Sequence, residues 1–85
     1  MWSNIECLSI GALCGGVKNI EKIYSCFTRV HVVLKDIEVI TENKKARLLK
    51  LSHVKAVFVR RSEVQLVVGV ESDRLAEFLK KELVK

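Results

Sequence analysis

The chain has 85 residues and a formal charge of +5, from fifteen basic and ten acidic side chains. That length admits one domain with a thin core, burying about 60% of the surface of its unfolded form. A hydrophobic content of 49%, no proline and only four glycines exclude a disordered or low-complexity polypeptide.

The first residues, Met1-Trp2-Ser3-Asn4-Ile5-Glu6-Cys7, lack the basic start and apolar run of a signal peptide. No apolar stretch approaches the roughly 20 residues of a membrane helix. The expectation is a soluble cytoplasmic protein, able to work beside a membrane protein. Three cysteines, Cys7, Cys14 and Cys26, are an odd number without a secretory signal, which favours free thiols.

Ser3 with Glu6 three residues on fits a capping box and predicts a helix from about Asn4. Ile5, Leu8 and Ala12, with Leu13 adjoining, predict its apolar stripe; Cys7 and Cys14 read as small buried hydrophobes. Gly15-Gly16 ends that helix. Without a following Lys-Ser/Thr the pair is no phosphate loop.

Lys22–Cys26 then reads as a short strand and Thr28–Lys35 as a longer one. Alternation puts Val30, Val32 and Leu34 on one face and Arg29, His31 and Val33 on the other. After Asp36 and a connection over Ile37–Thr41, a helix is predicted over Glu42–Leu51, with Ala46, Leu48, Leu49 and Leu51 inward. Val54–Val59 and Val64–Val68 predict a hairpin joined by the four residues Arg60-Arg61-Ser62-Glu63. Gly69 breaks the last strand. Ser72 is the expected N-cap of a final helix whose inward residues are Leu75, Phe78, Leu79 and Leu83. Early Asp73 and late Lys80, Lys81 and Lys85 match the helix dipole.

The fold class is therefore α+β, in the order αββαββα: a four-stranded antiparallel sheet with three helices packed on one face. Residues 1–85 are read as a single domain, and as a monomer because no large apolar face is left unassigned.

The chemistry centres on Tyr24-Ser25-Cys26-Phe27-Thr28-Arg29-Val30-His31. Cys26 sits at a strand end beside a hydroxyl, an arginine and a histidine. A thiol in such polar, cationic company is a candidate nucleophile. Cys14, Cys26 and His31 match no zinc spacing, so no metal is expected. Arg60, Arg61, Lys44 and Lys45 lack an accompanying aromatic platform, so no nucleic-acid partner is expected. His53 receives no role.

The segment from Gly15-Gly16-Val17-Lys18-Asn19-Ile20 through Cys26-Phe27-Thr28-Arg29-Val30-His31-Val32, with the later Val64-Gln65-Leu66-Val67-Val68-Gly69, resembles the glucose-type enzyme IIB domain of the bacterial sugar phosphotransferase system. That family shows Gly-Gly, Asn-Ile and Cys-x-Thr-Arg-x-Arg at this spacing, then Val-Gln-x-x-x-Gly. The resemblance covers nearly the whole chain.

It implies the same four-stranded, three-helix fold. It implies that Cys26 accepts a phosphoryl group from a phosphohistidine of a IIA protein. The group then passes to a sugar held by the membrane-embedded IIC permease, which would place the domain at the inner face of the membrane. Phe27, Thr28, Arg29, His31 and Gln65 would hold the phosphate; no cofactor is implied. The chain departs from the pattern at three places. His31 stands where the family has its second arginine, Tyr24 where an acidic residue is common, and the turn before Val64-Gln65 has no glycine. The alternative these departures suggest is a diverged regulatory or protein-interaction module that does not complete sugar transfer.

Overall fold

The computed structural model describes residues 4–83. Its elements are α1 (Asn4–Leu13), β1 (Ile20–Cys26), β2 (Arg29–Leu34), α2 (Glu42–Leu49), β3 (Ala56–Arg60), β4 (Glu63–Val67) and α3 (Ser72–Leu83), with short 3-10 turns over Val17–Asn19, Ile37–Val39 and Gly69–Glu71. All neighbouring strands pair antiparallel, in the order β1-β2-β4-β3. The expected α+β architecture and its αββαββα order are what the chain adopts. Ser3 of the expected capping box lies outside the described residues.

Strand alternation decides the layering. Ile23, Val30, Val32, Leu34, Val64 and Leu66 are buried on the inner face, against Leu75, Ala76 and Leu79 of α3 and Leu48 of α2. The opposite face carries no helix among the described residues. Tyr24, Arg29, His31, Glu63 and Gln65 stand on it, at positions that alternate with the core residues.

The apolar stripe of α1 is not the expected one. Ile5 and Leu8 are 76% and 60% exposed, and Ala12 is exposed too. The buried positions are Cys7, Ile10, Gly11 and Cys14, which follow the i, i+3, i+4, i+7 spacing of a packed helix face. The helix is apolar almost all round, so periodicity alone does not orient it. Once the cysteines are counted as hydrophobes, it does. Gly11 lets α1 approach α3: a Cβ there would lie 2.9 Å from Leu83 Cδ2. The exposed Ile5 and Leu8 remove the ground on which a monomer is expected.

Three further expectations shift. In α2 only Leu48 is fully buried; Leu51 is half-buried beyond its end, while Ala46 and Leu49 face solvent. Thr41 caps this helix by accepting from the Lys44 N–H. The β3–β4 connection is the two-residue turn Arg61-Ser62, because Arg60 and Glu63 still pair in the ladder. Arg61 takes up the positive φ (55°) that a glycine would normally supply. Ser72 does not cap α3: it lies in the helix, and its buried hydroxyl donates to the Phe27 carbonyl.

Asn19 explains part of the Gly-Gly…Asn-Ile pattern in purely architectural terms. Its amide donates to the carbonyls of Cys14 and Asp36, and its Oδ1 accepts from the Asp36 N–H. It thereby joins the end of α1 to the end of β2. Gly15, at φ 92°, leaves room for it; a Cβ there would meet Asn19 Nδ2 at 2.9 Å.

Candidate functional site

Cys26 ends β1 and Arg29 begins β2, and the two face each other across the ladder. Phe27 and Thr28 form the two-residue turn between them. A hairpin this tight needs a positive φ, and Phe27 supplies it at 57° while its side chain stands 92% exposed. Of the three cysteines only Cys26 is exposed. Burial pushes the Cys14 thiol up to about 12, and burial with the nearby Glu82 and Glu6 carboxylates also raises that of Cys7. Neither is a usable nucleophile, since the thiolate is the reactive form.

The turn is held from below by its carbonyls. Ser72 Oγ donates to the Phe27 carbonyl, and the N–H groups of Val68 and Gly69 donate to that of Thr28. All peptide bonds among the described residues are trans, so each N–H points opposite the carbonyl of the preceding residue. The Thr28 N–H, opposite the carbonyl tied to Ser72, is therefore directed away from α3. Beneath the turn Ser25 Oγ donates to Asp73 in the first turn of α3.

On the helix-free face the expected phosphate-side residues form one hydrogen-bonded set. The Arg29 guanidinium donates to Gln65 Oε1 at 2.8 Å and lies 5.0 Å from the Phe58 ring, a cation–π contact. This draws it across β4 towards β3, whereas Cys26 is on β1. Gln65 Nε2 donates to Glu63 Oε1 at 2.9 Å, and His31 Nδ1 lies 2.7 Å from the same oxygen. Tyr24 donates its hydroxyl to Glu63 Oε2 and stacks on the His31 ring, centroids 4.5 Å apart. The Lys22 ammonium lies 5.3 Å from the Tyr24 ring.

Glu63 is the hub. Burial raises its carboxyl, but the hydrogen bonds from His31, Gln65 and Tyr24 outweigh burial and hold it below the ordinary carboxylate value. Burial, then the bond to Glu63, pushes the Tyr24 hydroxyl up. A groove of about 340 Å³ opens beside the cluster, lined by Tyr24, Arg60, Arg61, Ser62, Glu63 and Gln65.

Arg29, His31 and Gln65 are thus brought together on one face, and Cys26, Phe27 and Thr28 at its end. Glu63, Ser72, Asp73 and Ser25 are not assigned to the site by the sequence. Their roles depend on pairing between segments up to 48 residues apart. The one available signal was a lone carboxylate in alternation register with Gln65. Among the described residues, no three or more His, Cys, Asp or Glu side chains are grouped to hold a metal ion. No described helix is long and apolar enough to cross a membrane.

The family model for phosphotransferase system, EIIB, matches residues 9–40, a span that includes the Cys26 turn and β2. One solved structure similar to this chain is "one domain of the PTS system, IIabc component from Clostridium difficile". It is 26% identical, with a TM-score of 0.76, over 95% of this chain and 81% of that one. No curated protein matches the sequence. One finding rests on the motif-bearing segment and the other on nearly the whole fold, and both support an EIIB domain of the phosphotransferase system.

Proposed function

We propose that Cys26 is the phosphoryl carrier, charged by a phosphohistidine of a IIA partner and discharged to a sugar held by a membrane-embedded IIC permease. The observation that carries this reading is the setting of Cys26: the one exposed thiol, on a clamped two-residue turn whose Thr28 N–H points outward. Phosphoryl transfer asks for an in-line nucleophile and donors for the equatorial oxygens rather than for further covalent chemistry.

In the first step the Cys26 thiolate forms an S–P bond as the partner's N–P bond breaks, and the partner imidazole leaves with the electron pair. In the second a sugar hydroxyl oxygen forms an O–P bond as S–P breaks. The thiolate is regenerated, and the hydroxyl proton passes to a base outside this chain. The Thr28 N–H and the Arg29 guanidinium supply donors to the phosphoryl oxygens, Phe27 shapes the turn, and Gln65 and His31 support from β4 and β2. Arg29 reaches the phosphate by exchanging its bond to neutral Gln65 for one to a dianion, a stronger acceptor.

A second reading is a regulatory or interaction module that binds its partners without completing sugar transfer. It is favoured by the internal satisfaction of the basic face, Arg29 by Gln65 and His31 by Glu63. One assay separates the two. The protein is incubated with phosphorylated IIA, and thiol-linked phosphate is sought by mass spectrometry, with Cys26→Ser as control. Phosphate on Cys26 that reaches sugar through IIC supports the carrier. Phosphate that goes no further supports the module, and an unmodified Cys26 sinks the phosphocysteine reading.

A further inference from the structure

We propose that Glu63 is a positioning residue of the phosphoryl site, fixing the tautomer of His31, the amide orientation of Gln65 and, through Gln65, the place of Arg29. Its functional consequence rests on the Cys26 reading. Its structural part does not.

An ionised carboxylate only accepts hydrogen bonds. Glu63 Oε1 at 2.7 Å from His31 Nδ1 therefore requires the proton on Nδ1, which fixes the tautomer of the neutral ring. The same oxygen accepts from Gln65 at 2.9 Å, so the NH2 side of that amide faces Glu63 and its carbonyl oxygen faces Arg29. The Arg29 guanidinium has no acceptor, so only that amide orientation can bond it. One carboxylate thus orders three side chains. Tyr24 adds a hydroxyl bond to the other oxygen and a stacked ring against His31.

The three departures from the IIB sequence pattern, at Tyr24, at His31 and in the glycine-free turn that ends in Glu63, meet in this one cluster. A histidine in place of a guanidinium needs its orientation and tautomer set by a neighbour, and Glu63 sets both. Preorganised donors matter because they avoid reorganisation as charge shifts during transfer.

The test combines two measurements on the full chain. Long-range 15N NMR of His31 should show the Nδ1–H tautomer in the native protein and a loss of that preference in Glu63→Gln. Stopped-flow transfer from phosphorylated IIA should slow about tenfold at saturating donor in Glu63→Gln, the scale of one hydrogen bond to a charged group. The half-saturating donor concentration should stay unchanged. Glu63→Asp, which keeps the carboxylate, should recover most of the rate; if Glu63→Gln does not fold, the His31 tautomer of the native protein decides alone, and an Nε2–H form overturns the proposal. An unchanged His31 tautomer, an unchanged saturating rate, or an effect confined to donor affinity overturns the proposal. Absence of phosphate on native Cys26 would instead refute the carrier reading, with the NMR result still deciding what Glu63 holds.

Discussion

The Ser72 hydroxyl at the start of α3 donates to the carbonyl of Phe27, 45 residues away, tying the last helix to the turn beside Cys26. Ser72 is 2% exposed, so removing its hydroxyl leaves the carbonyl short of a partner that water replaces poorly. Ser72→Ala should cost about 1 kcal/mol, read as a lower urea midpoint with an unchanged slope. The turn should loosen without melting, because Val68 and Gly69 still hold the Thr28 carbonyl. Faster amide exchange confined to residues 27–29 would show it.

Phe27 combines a left-handed backbone with a side chain that the fold does not bury. Left-handed residues cost about 1–2 kcal/mol unless they are glycine, while glycine gains freedom in the unfolded chain. Phe27→Gly should therefore raise stability by roughly 0.5 kcal/mol and, on the proposed carrier reading, slow phosphorylation by a IIA partner, since a large exposed aromatic beside Cys26 is placed for docking. A loss of both stability and transfer would show the ring to be structural.

The alternation of β2 was legible because it is local: Val30, Val32 and Leu34 are buried and Arg29, His31 and Val33 half-buried, as a period of two requires. The face of α1 was not, because Ile5, Leu8, Ile10 and Leu13 surround the helix and only its partners choose a side. The β3–β4 turn was misjudged because Arg61 adopts a glycine-like φ that its chemistry does not advertise. Glu63 was invisible as a site residue for a different reason. Its bonds to Tyr24, His31 and Gln65 arise from the register of three strands, which no single segment encodes.

Asn19 holds three backbone groups that join α1 to β2. Asn19→Ala removes all three bonds at once, and at about 1 kcal/mol each, discounted for the two in exposed positions, the loss should be about 2 kcal/mol. Chemical denaturation checks it. A loss well below 1 kcal/mol would mean that water replaces these bonds freely.

The cysteines separate by burial and by pH. A thiol reagent should modify Cys26 in the native protein, and Cys7 and Cys14 only on unfolding. Cys14 carries a second signature. Its folded value lies at about 12 against 9.0 in an open chain, so the folded state holds the proton more tightly. The resulting stability is complete below pH 9 and is lost as pH rises through about 12. Cys14→Ala should be less stable at neutral pH and should flatten this alkaline decline. An unaltered slope would mean other groups cause it.

The acid limb belongs to Glu63. Its folded value lies below the ordinary 4.5, so the folded state holds this proton less tightly than the unfolded chain. The stability it contributes is therefore complete above 4.5 and is lost as pH falls through the lowered folded value. Glu63→Gln should be less stable than the native protein at neutral pH, and the gap should close as pH falls below 4.5. Denaturant titrations across that range measure it. A gap that stays constant with pH would show that the carboxylate's charge is not what the three donors recognise.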